Sequence, residues 1–123
     1  MKYIIHTPSA TRLKKEIIDS ITEKVDGNGK IIATWQCVEA DTSETVLVHT
    51  SDHWAGKGCI TLNQNISHNE LQVRFCYWET CEERERGDEK VMLGRFTELL
   101  LVHFSYFFDK IVIEYNCLSQ DTI

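Results

Sequence analysis

Between residues 30 and 79 apolar side chains recur at every second position, in four runs joined by short polar connections. Such alternation places neighbouring side chains on opposite sides of a pleated strand. Connections this short join antiparallel neighbours, because parallel ones need a crossover of roughly a dozen residues or more. The runs are KIIATWQCVE (30–39), ETVLVHT (44–50), CITLNQ (59–64) and ELQVRFCYWE (70–79). They predict an antiparallel meander with one buried face. With Trp35, Cys37, Val46, Val48, Ile60, Leu62, Val73 and Phe75 inward, the opposite face carries Thr34, Gln36, Val38, Leu47, His49, Thr61, Arg74, Cys76 and Trp78.

Helical periodicity flanks the meander. Lys2–His6 reads as a strand, and Thr7-Pro8 then opens a helix, Thr as cap and Pro at the first helical position. Leu13, Ile17, Ile21 and Val25 share one side of this helix, and DGNG (26–29) stops it. A second helix is expected from about Glu89 to Phe108, with Met92, Leu93, Phe96, Leu99, Leu100, His103 and Phe107 on one face. It is apolar enough to be central to the core or to touch another subunit. KIVIEY (110–115) is the last strand.

The order β-α-β-β-β-β-α-β predicts an α+β fold. The expected architecture is a two-layer sandwich, a mixed, mostly antiparallel six-stranded sheet with both helices on one face. Crossovers between parallel neighbours would be right-handed. Residues 1–123 form one domain in this reading, with 116–123 as a flexible tail.

Charge narrows the partners. The chain carries 13 basic and 19 acidic residues, net −6, and the excess lies in residues 61–123. An acidic surface repels phosphate backbones, so nucleic acid is not an expected partner. A second copy of the chain or a basic protein fits better. The charged connection TCEERERGDEK (80–90) reads as a solvated loop and helix start.

Five cysteines, at 37, 59, 76, 81 and 117, are an odd number. MKYIIHTPSA has too short an apolar run for a secretory leader, and LLLVHFSYFF is half the length of a membrane span. The expectation is a cytoplasmic protein with reduced thiols, for which the sequon at Asn65 has no meaning.

The densest chemistry lies in HTSDHWAGKGC (49–59). His49 closes one strand, Cys59 opens the next, and Ser51–Ala55 forms a helical turn between them. His49 and His53 are four apart, yet the spacing loses its helical meaning when one lies on a strand. A zinc site needs about four converging ligands, and nothing here has that spacing. Gly56-Lys57-Gly58 lacks the phosphate-loop pattern. His103, on an apolar helix face, needs a hydrogen-bond partner.

These features predict a small binding module without catalysis, cofactor or metal, acting as a homodimer or on a basic partner. Its contact residues would be Gln36, His49, Trp54, Arg74 and Trp78. The alternative is a small enzyme or metal protein centred on His49, His53, Cys59 and Cys76.

Overall fold

The computed structural model describes residues 1–65 and 69–115. The strands are β1 (Lys2–His6), β2 (Trp35–Glu39), β3 (Thr45–His49), β4 (Gly58–Asn65), β5 (Glu70–Tyr77) and β6 (Lys110–Glu114). The helices are α1 (Ala10–Glu23), the single turn α2 (Asp52–Ala55) and α3 (Asp88–His103). The strands form one sheet in the order β2-β3-β4-β5-β1-β6. The meander β2–β5 is as expected, and β1 sits between β5 and β6. Among the described residues every pairing is antiparallel, so the sheet is not the mixed one expected and no crossover there links parallel neighbours.

The two long helices cover one face. From α1, Leu13, Ile17 and Ile21 enter the main core; from α3, Met92, Leu93, Phe96, Leu99 and Leu100 do so. They meet Tyr3, Ile5, Trp35, Leu47, Ile60, Leu62, Leu71, Val73, Phe75 and Tyr77 of the sheet. This is the α+β two-layer sandwich that the alternation and flanking helices predict.

Local chemistry moves the helix ends. Thr7 does not cap α1: its hydroxyl donates to the Phe107 carbonyl at 2.6 Å. Ser9 is the cap, accepting from the Arg12 amide at 3.2 Å. Such a cap contributes about 1 kcal/mol. Each fully buried Leu or Ile contributes roughly 1.5–3 kcal/mol, so packing holds α1 in place and the cap only sets its first residue. Lys24, in the left-handed region at φ 64°, ends the helix before DGNG. α3 stops at His103, and Ser105–Phe107 forms a 3-10 turn instead of a continuation to Phe108.

β3 is turned over relative to the sequence reading. Cα pairing of Cys37 with Leu47 and Trp35 with His49 puts Leu47 and His49 on the helix side. Val46 and Val48 point to the open side, where they form a second cluster with Cys59 and Cys76. Val46, Leu47 and Val48 are all buried, so hydrophobicity alone gave this strand no preferred face. The expected tail over 116–123, Cys117 and most of the sequon lie outside the described residues.

Candidate functional site

Among the described residues three places carry chemistry: the open face of the sheet, a cleft at the C-terminal end of α3, and a buried ion pair beneath the charged connection.

The open face is ordered by strand register. Tyr3 and Ile5 point into the core, so Lys2, Ile4 and His6 point outward. One cross-strand row is Asn65, Glu70, His6 and Lys110. The next is Asn63, Gln72, Ile4 and Val112. Beside these lie Arg74, paired with Thr61, and Lys2, paired with Glu114. Ile4 is buried and forms the floor of a depression of ≈ 290 Å³, rimmed by Lys2, Gln72 and Arg74. Charges of both signs therefore surround a small apolar centre.

Of the five expected contact residues, Gln36, Arg74 and Trp78 lie on this face. Trp78 follows β5 and packs on the Val46–Val48 cluster, its indole N–H donating to the Ala55 carbonyl at 2.7 Å. Trp54 packs instead toward the main core, its ring 5.7 Å from the Lys57 ammonium. His49 belongs to the other face, because β3 is turned over. The five do not form one patch.

The alternative site separates for the same reason. Cys59 and Cys76 are Cα partners across β4 and β5, both thiols. His49 lies on the opposite side of the sheet, and His53 is exposed on α2. Burial, reinforced by the neighbouring Cys76 thiol, pushes the Cys59 thiol up to about 12. A thiol held protonated is a poor nucleophile and a poor ligand. Among the described residues no three His, Cys, Asp or Glu side chains converge as a metal cage.

His49 instead enters a cleft with His103. The cleft, of ≈ 170 Å³, is lined by Thr34, Trp35 and His49 from the sheet side and by Arg95, Glu98, Leu99, Val102 and His103 from α3. The Trp35 and His49 rings meet edge to face, with centroids 5.4 Å apart. His49 Nδ1 accepts the Ser51 amide at 3.1 Å, which leaves the ring proton of the neutral imidazole on Nε2. Burial and the nearby Arg95 charge lower the His49 pKa and favour that neutral form.

His103 is held from behind. Its Nδ1 lies 2.7 Å from Asp26 Oδ2. Asp26 also accepts the amides of Asn28 at 2.8 Å and Lys30 at 2.9 Å. Burial acts to raise the Asp26 pKa, but the His103, Lys30 and Asn28 hydrogen bonds outweigh it and keep the carboxyl below its ordinary range. An ionised Asp26 makes His103 Nδ1 the donor, so its Nε2 carries a lone pair whenever the ring is neutral. The sequence demanded a partner for His103; the aspartate that supplies it is 77 positions away in DGNG.

The third feature was missed because Asp88 looked like one more solvated acid. It is buried, with its side chain 3% exposed, facing Lys57 at 6%. Lys57 Nζ donates to the two Asp88 oxygens at 3.0 and 3.2 Å and to the Glu83 carbonyl at 3.0 Å, using all three ammonium protons. Asp88 also accepts the Tyr77 hydroxyl at 2.9 Å and the Glu85 amide at 2.8 Å. A network this fully satisfied ties the charged connection to the sheet and has no proton to exchange cheaply, so its role is structural.

Comparison of the chain with protein-family models, with curated proteins and with solved structures returned no match.

Proposed function

We propose that the chain is a small cytoplasmic binding module, without catalysis of its own, which associates with a second copy of itself through the open face of the sheet. The observation that carries this reading is the charge pattern of that face. A two-fold dimer needs a self-complementary patch. Lys2, Arg74 and Lys110 stand there beside Glu70 and Glu114, so rotation by two-fold symmetry can set opposite charges against each other around Ile4, Gln72 and Val112. The rest of this acidic chain would repel its own copy. The four described cysteines, all thiols, support a reducing compartment. No helix among the described residues is long and apolar enough to cross a membrane.

Sedimentation velocity at micromolar concentration tests the reading. The wild type should sediment as a dimer, and Arg74→Glu should shift it to monomer. Leu101→Glu, on the exposed side of α3, should leave the dimer intact. A monomeric wild type, or a dimer broken by Leu101→Glu and not by Arg74→Glu, would overturn the assignment to this face. The net charge of −6 favours a second reading, a basic protein as the partner, which a monomeric wild type would bring forward.

A further inference from the structure

The cleft between β2–β3 and α3 holds donors, acceptors and both signs of charge that the dimer reading does not use. Two of its groups can donate, the Arg95 guanidinium on α3 and the Nε2–H that the Ser51 amide imposes on His49 across from it. Two can accept, the Glu98 carboxylate and, whenever its ring is neutral, the His103 Nε2 that the Asp26 contact at Nδ1 leaves unused. Trp35, Leu99 and Val102 supply the apolar part of the lining. Polar groups of both kinds thus line a concavity that also offers apolar surface, and polar groups placed beside apolar surface can orient a ligand. At ≈ 170 Å³ this one is below the roughly 300–1,000 Å³ of drug-sized pockets, so it suits a very small molecule.

We propose that this cleft binds a small α-amino acid with an apolar side chain. Its carboxylate would lie against Arg95 and His49, its ammonium against Glu98 and His103, and its side chain along Trp35 and Val102. Metal binding is disfavoured at His49, because a ring whose Nδ1 already accepts an amide has its proton on Nε2 and offers no lone pair there. A simple anion is disfavoured by Glu98, and a simple cation by Arg95. A ligand carrying both charges satisfies both groups, and charge-assisted hydrogen bonds are the strong ones.

The experiment is a titration of the full-length protein with L-valine, followed through the ring nitrogens of His49 and His103 and the indole of Trp35 by NMR. L-valine should shift all three saturably. Isovalerate, which is L-valine without the ammonium, and isobutylamine, which is L-valine without the carboxylate, should each bind about tenfold more weakly or worse. 2-Hydroxyisovalerate separates an ammonium from a hydroxyl and should also be weaker. Arg95→Gln and Glu98→Gln alter exposed positions on α3, should keep the wild-type spectrum elsewhere, and should each weaken L-valine about tenfold. No saturable shift with L-valine would overturn the proposal. So would equal binding of isovalerate or the hydroxy acid, or affinity unchanged in both variants. Neither set of outcomes depends on the dimer.

Discussion

Lys57→Met tests the most consequential piece of buried electrostatics. It removes three ammonium hydrogen bonds and leaves the Asp88 carboxylate with only the Tyr77 hydroxyl and the Glu85 amide, in a site where its side chain is 3% exposed. Breaking a buried pair from one side costs about 3–5 kcal/mol, because the remaining charge is uncompensated. In a domain of this size each kcal/mol lowers Tm by roughly 3–5 °C, so Lys57→Met should melt roughly 10–25 °C below wild type. Asp88→Asn should be costly for the mirror-image reason, stranding the ammonium. The double variant Lys57→Met/Asp88→Asn buries neither charge and should cost less than the two singles added together, by about 1–3 kcal/mol. Urea unfolding followed by circular dichroism gives all three values. A Lys57→Met cost below about 1 kcal/mol, or strict additivity of the singles, would refute the claim that the pair is buried and coupled. The pH dependence carries a second check. Burial acts to raise the Asp88 pKa, but the Glu85 amide, the Lys57 ammonium and the Tyr77 hydroxyl outweigh it and hold the folded value below the unfolded one. The stability it contributes is therefore complete above about pH 4 and is lost as pH falls through the folded value. Asp88→Asn should flatten that acid limb in part, with the Asp26 contribution remaining.

Two further predictions concern the backbone. A Cβ at Gly58 would stand 2.2 Å from the Cys76 carbonyl oxygen and 3.0 Å from Phe75 Cε1, inside the β4–β5 ladder. Gly58→Ala should therefore cost about 3 kcal/mol in thermal unfolding, at the upper end for overpacking, because the obstacle is backbone. Gly56→Ala meets only the Asp52 carbonyl at 3.4 Å and serves as the control, and equal melting of the two would contradict the pairing. Ser9→Ala should cost about 1 kcal/mol, whereas Thr7→Val should leave the start of α1 intact and loosen Phe107 instead. Amide exchange at Arg12 and at the 3-10 turn distinguishes them.

How much of this was legible in the sequence follows from which signals are local. The four alternating runs, the helical stripe of Leu13, Ile17 and Ile21, and the turn chemistry of Ser51–Ala55 are properties of neighbouring residues, so the elements and their two-layer packing could be read directly. The face of β3 could not. TVLVH offers an apolar residue on both sides, and only the pairing of Trp35 with His49 decides which side meets the helices. That one inversion moved His49 from the expected contact face into a cleft with His103, and it dissolved the thiol–imidazole site. The two buried carboxylates were hidden for a related reason. Asp26 lies in a turn and Asp88 in a charged run, both contexts in which an acid is ordinarily solvated. Their cationic or imidazole partners are 31 and 77 positions away, and a long-range hydrogen bond leaves no trace in local pattern. Periodicity determines which elements form, since it depends on geometry within a few residues. Which polar groups meet depends on strand order and register, and these are chosen by the whole core at once.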